Sequence, residues 1–351
     1  MSKYRLLTIG LISSLTIAAV AESQIFNYWV SSLRYVISRP TNQEHSPEII
    51  LSNAGKDGQY HLTLLAAGDI ARCPRRDFAG QHWPSLSYTL GLPVDANTQD
   101  SEAQKTAKLA GLWPEAVILG LGDLVYNRGT PAEFATCFEP LWGRLAARML
   151  PAPGNHEYRS QSAFGYFDYW GAQAGPERRG YYATRWQNWL ILSLNSEVDA
   201  APGSEQAKWL GKTLADSPES CVLAFYHKPA HSLKVRSGAE NAILLFRQLQ
   251  QAGATVVLNG HNHFYERTKP LDAEGRVSDA TGTIAFTSGT GGEVRSPRDL
   301  APETESAVFD HSGLLRLELK SDGFAWWFHE SGDAEVLDHG EAACNQRMAS
   351  L

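Results

Sequence analysis

Residues 117–126 read VILGLGDLVY, an apolar run that ends in Gly122-Asp123, with Tyr126 three residues further on. A short apolar run bounded by glycine is typical of a buried strand. In open α/β sheets, ligands bind outside the carboxyl ends of the strands. Asp123 and Tyr126 are therefore predicted to lie at a functional edge of a sheet.

Polar residues follow four other apolar runs in the same way. Because such strand ends meet at one edge of a sheet, side chains that are distant in sequence are expected to converge there. Apolar runs also alternate with helical patterns, and strands dominate near the C-terminus, which predicts a layered α/β domain with a partly antiparallel sheet. The four runs and their polar residues are Leu62–Ala67 with Asp69, Met149–Pro153 with Asn155 and His156, Val222–Tyr226 with His227, and Val256–Leu258 with His261 and His263.

These polar residues offer oxygen and nitrogen atoms and no thiolate, which suits hard or borderline cations. Taken singly, an aspartate after a strand is more often a turn or capping residue than a ligand, but five matching strand ends favour a shared site. Seven side chains are too many for one tetrahedral ion, and they suit two ions that share a bridging carboxylate. The candidate ligands are Asp69, Asp123, Tyr126, Asn155, His227, His261 and His263.

The order of the motifs resembles that of the calcineurin-like metallophosphoesterases and, within them, the purple acid phosphatases. The motifs are GD, GDxxY, GNHE, a strand ending in histidine, and GHxH, and the resemblance runs from Leu62 to Glu330. It implies a four-layer α/β/β/α sandwich of two mixed sheets, the metallophosphoesterase fold. The general superfamily has Asp-x-His in the first motif, whereas Asp69-Ile70-Ala71 lacks that histidine and Tyr126 is available to replace it. Ala71 stands where plant purple acid phosphatases have glycine.

The resemblance also implies two metal ions with different ligands. A phenol titrates near ~10, so its binding at neutral pH requires a Lewis acid as strong as Fe³⁺. The implied sets are Asp69, Tyr126 and His263 for Fe³⁺, Asn155, His227 and His261 for a divalent ion (Fe²⁺, Zn²⁺ or Mn²⁺), and Asp123 as the bridge between the two.

The activity implied by the resemblance is that of an acid phosphatase-like phosphoric monoester hydrolase. A metal-bound hydroxide would attack a small-molecule phosphate ester in line, with Asp123 and His156 as catalytic residues. His156 matches the residue that contacts the substrate phosphate and protonates the leaving group. His231 is a second substrate-binding candidate, with a solvated loop position as its alternative. Two other functions stay open: a phosphodiesterase on nucleotides or phospholipids, and a non-catalytic phosphate- or metal-binding module.

The composition is that of a globular protein. The 351 residues include 31 basic and 38 acidic ones, the formal net charge is −7, and 43% of the residues are hydrophobic. Nucleic acid is not expected as a partner, because phosphate backbones are held by clustered lysine and arginine.

The first residues predict an export signal. Lys3 and Arg5 precede an uncharged run, Leu6–Val20, which matches a signal sequence and falls short of the roughly 20 residues that cross a bilayer. We therefore expect a signal peptide and a periplasmic or secreted protein; a membrane anchor formed by the uncleaved segment is the alternative. The predicted boundaries are 1–21 for the signal, 22–58 for an N-terminal segment and linker, 59–340 for the catalytic domain and 341–351 for a C-terminal tail.

Export would expose the cysteines to an oxidising compartment, where disulfides persist. None of them has CxxC spacing, which argues against a thiolate zinc site, and three full pairings are open. The sequence favours one structural bridge with buried free thiols. The four residues are Cys73, Cys137, Cys221 and Cys344.

Two other segments carry distinctive residues. Ser288–Gly292, with the sequence SGTGG, is expected to be a turn near the site rather than a phosphate-cradling loop, because no helical pattern and no GK[ST] follow it. The aromatic group Tyr166, Phe167, Tyr169 and Trp170 either lines a substrate pocket or anchors a long loop.

Overall fold

The computed structural model describes residues 61–73, 101–233, 238–278, 281–296 and 299–345, together with Pro47. These residues fall within one compact unit, Thr41–Cys73 with Thr98–Leu351. The predicted signal segment 1–21 and nearly all of the predicted segment 22–58 lie outside the described residues. Among the residues that are described, no helix has the length and apolar character needed to cross a membrane.

Two mixed β-sheets form the centre of the described fold. The strands are β1 (Leu62–Ala67), β2 (Ala71–Arg72), β3 (Val117–Leu121), β4 (Val125–Tyr126), β5 (Met149–Ala152), β6 (Tyr182–Trp186), β7 (Trp189–Ser193), β8 (Cys221–Phe225), β9 (Val256–Asn259), β10 (Tyr265–Thr268), β11 (Ile284–Ser288), β12 (Thr304–Val308), β13 (Gly313–Leu319), β14 (Gly323–Glu330) and β15 (Val336–Ala343). The first sheet has the order β15-β14-β13-β1-β3-β5, the second has the order β12-β10-β11-β9-β8-β7-β6, and β2 pairs with β4.

Helices and turns connect these strands. The α-helices are α1 (Glu102–Ala110), α2 (Pro131–Glu133), α3 (Glu139–Trp142), α4 (Phe164–Trp170), α5 (Glu205–Ala215) and α6 (Glu240–Gln251). A π-helical segment, Phe134–Phe138, joins α2 to α3. Short 3-10 segments cover Gly143–Arg148, Glu157–Arg159, Gln161–Ala163, Gly171–Ala174 and Pro176–Arg178.

Parallel strands occupy the middle of both sheets. In the first sheet β1, β3 and β5 run parallel, with Leu64 opposite Val117 and Ile118 opposite Met149. In the second sheet β7, β8, β9 and β11 run parallel. Most residues of these strands are buried, which accounts for their nearly continuous apolar sequences. Within each sheet, the carboxyl ends of the parallel strands therefore lie along one edge.

The two sheets pack face to face over a shared apolar core. Leu64 and Leu119 of the first sheet belong to the same buried cluster as Leu223 and Phe286 of the second. Complete burial of each such side chain contributes about 1.5–3 kcal/mol to stability. Helices α5 and α6 cover the outer face of the second sheet, and α1 lies against β13 of the first. The predicted four-layer α/β/β/α sandwich is confirmed.

The helix ends follow the sequence pattern. Thr130 Oγ1 accepts a hydrogen bond from Glu133 N at 3.2 Å, and the Glu133 carboxylate accepts one from Thr130 N at 2.9 Å, which together form a capping box at the start of α2. Ser204 caps α5 by accepting from Ala207 N at 3.2 Å. After α6, Gly253 has φ of 77°, a left-handed conformation that glycine adopts without strain.

All four cysteines are paired, so the prediction of one bridge with free thiols is wrong. Cys73 is bonded to Cys137 and Cys221 to Cys344, across sequence separations of 64 and 123 residues. Only the tertiary fold brings such distant partners together, and cysteine spacing does not reveal it. Strand β15 ends at Ala343, immediately before the second bridge. Residues 341–344, predicted as part of the tail, therefore continue the folded domain.

Candidate metal centre

The candidate ligands lie where the apolar strands end. Three of them have left-handed backbone, with φ of 59° at Asp69, 50° at Asp123 and 68° at His261. This conformation costs a non-glycine residue about 1–2 kcal/mol, although aspartate and histidine adopt it more often than most residues. Strained backbone of this kind clusters at functional sites. The positions of all seven candidates are Asp69 after β1, Asp123 after β3, Tyr126 in β4, Asn155 after β5, His227 after β8, and His261 and His263 between β9 and β10.

Asp69, Tyr126 and His263 form a first group of converging ligand atoms. Tyr126 Oη donates to Asp69 Oδ1 at 2.7 Å and lies 3.2 Å from His263 Nε2. His263 Nε2 in turn lies 3.1 Å from Asp69 Oδ1. All three residues are buried. One carboxylate oxygen, one phenol and one imidazole nitrogen thus surround a single point.

Asp123, Asn155, His227 and His261 form a second group around the Nε2 atom of His227. Asp123 Oδ2 lies 3.2 Å from that nitrogen, Asn155 Oδ1 3.2 Å and His261 Nδ1 3.1 Å. Ligand atoms of the aspartate and the two histidines all fall within 4.8 Å of one another. His227 Nδ1 lies 2.9 Å from the Leu121 carbonyl oxygen, and donation to that oxygen leaves Nε2 as a lone-pair ligand.

A backbone hydrogen bond joins the two groups. His261 N donates to Asp69 Oδ2 at 2.7 Å, so the second group is tied directly to a carboxylate of the first. Asp123 Oδ1 accepts from His156 N at 2.8 Å, while Asp123 Oδ2 points to His227. The structure therefore brings together all seven candidate ligands. That Asp123 bridges two ions stays a prediction.

The donor atoms and their electrostatics fit two cations. Burial alone would raise the pKa of Asp69, but the charge and hydrogen bond of His263 outweigh it and lower that pKa. Burial would lower the pKa of His227, but Asp123 raises it to about 10. These buried carboxylates are thus balanced by positive charge on histidine. A bound cation would replace a histidine proton, so metal binding is expected to release protons and to depend on pH.

Tyr126 is the candidate ligand that is hardest to deprotonate. Burial raises the pKa of its phenol well above the usual value, and the charges of Asp69 and Asp123 raise it further. Conversion to the phenolate therefore requires a strongly charged cation beside the oxygen. That the first group holds a trivalent ion stays a prediction.

His156 lies at the edge of the second group. Its Nε2 is 3.8 Å from Asp123 Oδ2, and its Nδ1 is 2.8 Å from the Asn127 carbonyl oxygen. The ring also makes an edge contact with Tyr126, with centroids 4.4 Å apart. Burial lowers the pKa of His156, although Asp123 opposes that shift. The side chain is 14% exposed, so it faces both the candidate ligands and solvent.

Glu157 is a functional candidate to which the sequence assigned no role. Its buried carboxylate accepts hydrogen bonds from four backbone N–H groups, those of Asp123 at 2.9 Å, Leu124 at 2.8 Å, Val125 at 3.3 Å and Gly154 at 2.8 Å. The first three groups lie between the end of β3 and the start of β4, and the fourth follows β5, so one side chain joins the loop of Asp123 to that of Asn155. Its place in the GNHE motif was the only sequence indication.

Two glycines allow the close approach of these loops. A Cβ atom at Gly154 would lie 2.3 Å from Asp123 Oδ1, and a Cβ at Gly122 would lie 2.6 Å from the Cβ of His227. Gly122 also has φ of 80°. Any side chain at either position would displace a candidate ligand.

His231 does not join the candidate site. Its ring packs edge-on against Phe246 of α6, with centroids 4.7 Å apart, and a Cβ at Gly275 would overlap the ring. Its position four residues after His227 in the sequence does not carry the side chain to the converging ligands. The geometry gives no support to the predicted substrate-binding role.

The remaining sequence features have clear places. The aromatic group of α4 is buried, and Tyr169 stacks on Phe134, so these residues anchor the segment rather than line a pocket. A cavity of about 470 Å³ has Tyr158 and Tyr181 among its lining residues. The SGTGG segment begins at the last residue of β11 and continues as irregular backbone with a bend. It lies against the first motif, where Gly68 N donates to Ser288 O at 2.9 Å and Gly291 N to Gly68 O at 3.0 Å.

Two facing mixed sheets with oxygen and nitrogen ligands gathered at strand ends are the hallmark of a metallophosphoesterase. Comparison with known families agrees, since the model of the calcineurin-like phosphoesterases matches residues 62–265. The chain belongs to the calcineurin-like phosphoesterase family.

The curated relatives of the chain include a phosphatase and a phosphodiesterase. The chain is 26% identical over 287 residues to probable purple acid phosphatase 20 of Arabidopsis thaliana, which covers 72% of this chain and 65% of the relative. It is 27% identical over 182 residues to the 3',5'-cyclic adenosine monophosphate phosphodiesterase CpdA of Escherichia coli, covering 47% of this chain and 59% of that one. This chain therefore spans less than two thirds of the length of these curated relatives.

A solved structure shares the fold. The purple acid phosphatase PPD1 from yellow lupin superimposes with a TM-score of 0.62 at 16% sequence identity, covering 82% of this chain and 54% of that chain. This similarity supports the two-sheet architecture independently of the motifs.

Proposed function

We propose that the protein is a binuclear metal-dependent phosphatase that hydrolyses phosphate monoesters. The observation that carries the proposal is the pair of adjoining ligand groups, one around Asp69, Tyr126 and His263 and the other around His227. Asp123 would be shared by the two ions. When bound, such ions activate a water molecule and stabilise the charge on the phosphoryl oxygens during in-line displacement.

The residues of the chain would then position the substrate and move protons. His156 faces solvent beside Asp123 and would contact the phosphate. As an imidazolium, the form that the charge of Asp123 favours against burial, it would give its Nε2 proton to the departing alcohol and keep its Nδ1 proton on Asn127 O. Glu157 would hold the loops that carry Asp123 and Asn155 at a fixed separation. The hydrogen bonds that hold His156 and Glu157 in these positions are already present in the structure.

Iron in the first group has an optical test. A phenolate bound to Fe³⁺ transfers charge to the metal and colours the protein, so Tyr126→Phe is expected to abolish the visible band. The matched control is Tyr158→Phe, since the Tyr158 hydroxyl bonds to Asn195 rather than to a candidate ligand. Absorption spectra and metal analysis of both variants make the measurement. A colourless wild type that contains stoichiometric iron would contradict the assignment of Tyr126.

Substrate preference distinguishes the proposal from a phosphodiesterase. The similarity to a cyclic nucleotide phosphodiesterase keeps that second candidate open. We expect metal-replete protein to bind two metal ions per chain, one of them iron, and to hydrolyse an aryl phosphate monoester faster than the matching bis-aryl diester. The ratio of the two kcat/KM values is the readout. A ratio in favour of the diester would support the phosphodiesterase, and phosphate binding without turnover of either ester would support a non-catalytic module.

Export of the protein is proposed on independent grounds. Both disulfides and the absence of a free thiol suit a periplasmic or extracellular compartment, where such bridges persist. The basic and apolar N-terminal sequence supports the same proposal. The proposed signal segment is 1–21. The proposed substrate is a small-molecule phosphate ester.

A further inference from the structure

An ion pair lies beside the first ligand group. Arg72 Nε donates a hydrogen bond to Glu293 Oε1. Arg72 is in β2, and Glu293 comes 221 residues later in the sequence, after β11. The two side chains are 39% and 18% exposed, so the pair is only partly screened by solvent.

The positive member of the pair acts on Tyr126. Strand β2 runs parallel to β4 with Arg72 directly opposite Tyr126, and the guanidinium carbon lies 4.5 Å from the centroid of the phenol ring. A cation over an aromatic face is attracted to its electron density, and it would stabilise a phenolate more than a neutral phenol. The next residue, Cys73, is bonded to Cys137, which ties the end of β2 to the π-helical segment.

The negative member acts on His263. Glu293 Oε2 lies 3.8 Å from His263 Nδ1, while His263 Nε2 faces Asp69 and Tyr126. A histidine that binds metal through Nε2 carries its proton on Nδ1, and a carboxylate near that proton orients the ring and makes it a stronger donor. In the structure Arg295 Nε donates a hydrogen bond to the same Nδ1 at 3.4 Å. Metal binding through Nε2 would place the proton on Nδ1, which cannot donate to a guanidinium, so Glu293 would be the acceptor that suits a metal-bound ring.

We propose that Arg72 and Glu293 form a charge pair that sets how readily the ion held by Tyr126 and His263 accepts an electron. The proposal rests on the proposed function, since it requires iron in the first group. Arg72 weakens electron donation by the phenolate, whereas Glu293 strengthens donation by the imidazole. Neither residue is among the seven candidate ligands. Both are positioning residues that act through a ligand, and their effects oppose each other.

A redox titration of the iron-loaded protein tests this balance. The one-electron Fe³⁺/Fe²⁺ couple is titrated with a chemical reductant while the visible band is followed. Arg72→Met is expected to lower the reduction potential, because positive charge near an ion stabilises its reduced form. Glu293→Gln is expected to raise it. The double variant should return close to the wild-type value, and the two single shifts should shrink at high salt.

A control variant and the contrary outcomes distinguish failure of this inference from failure of the proposed function. Arg185, on the edge strand β6, forms an ion pair with Glu219. Arg185→Met removes one charge from that pair and should leave the reduction potential of the iron unchanged. A purely structural role for the pair would shift both single variants in the same direction or release iron, and either result would overturn the inference. Unchanged potentials in both variants would also overturn it. A wild type with neither iron nor a visible band would overturn the proposed function as well.

Discussion

The Asp123→Asn variant is expected to lose almost all phosphatase activity and part of its bound metal. Loss of a residue that merely supports a metal ligand costs about 10–100-fold in affinity or activity, and loss of a ligand shared by two ions should exceed this, so we expect kcat/KM to fall by about 10³-fold. A fall of that size corresponds to about 4 kcal/mol of transition-state stabilisation. Steady-state kinetics and metal analysis on the same preparation make the measurement.

The substitution is chosen to leave the backbone intact. Asp123 has φ of 50°, and asparagine tolerates this left-handed conformation. The amide oxygen can still accept the hydrogen bond from His156 N. Asp272→Asn provides a matched control, because Asp272 lies in a surface turn beside Arg276. Wild-type rates together with wild-type metal content in Asp123→Asn would remove the basis of the proposed function.

Glu157→Gln is expected to have the second largest effect, on stability and on metal binding together. The carboxylate accepts from four backbone N–H groups, whereas a carboxamide places its own N–H₂ against two of them. Each buried donor left without an acceptor costs about 1–3 kcal/mol, so we expect the two donors together to lower the free energy of unfolding by about 2–6 kcal/mol. Because the link between the loops of Asp123 and Asn155 is then weakened, metal affinity should fall by about 10–100-fold.

A half-buried carboxylate elsewhere in the fold separates the two effects. Asp338, in the edge strand β15, accepts hydrogen bonds from Tyr265, Arg267 and Trp326, and two strands separate β15 from β1 in the first sheet. Asp338→Asn should therefore lower the free energy of unfolding without lowering metal affinity. Denaturant unfolding and metal titration of both variants provide the comparison. If Glu157→Gln destabilises the fold but binds metal as tightly as the wild type does, the positioning role of Glu157 is wrong.

The sequence predicted the strands that matter for the site because they are buried on both faces. Runs such as Val117–Leu121 are continuously apolar, and their ends are marked by glycine. Two of the edge strands lack this mark: β12 has the sequence TESAV, and β15 largely alternates half-exposed and exposed residues. A strand that is exposed on one or both faces carries too little apolar pattern to be recognised.

The candidate ligands were predictable for the same reason, and their supporting residues were not. A ligand such as Asp69 or His227 follows directly from the strand before it. Glu157 acts through backbone groups of other loops, and Arg72 acts through a strand pairing, so both depend on tertiary contacts that leave no local pattern. His231 is close in sequence to His227, yet its ring packs against Phe246 of α6; its substrate-binding role stays a prediction.

The left-handed backbone at Asp69, Asp123 and His261 limits how this centre could be redesigned for another metal. A cysteine or glutamate introduced there would face a backbone cost of about 1–2 kcal/mol before it contributed any coordination bond. Tyr126, Asn155, His227 and His263 lie outside that conformation. Attempts to change the metal preference should therefore begin at those four positions, while the other three are kept as the fixed frame of the centre.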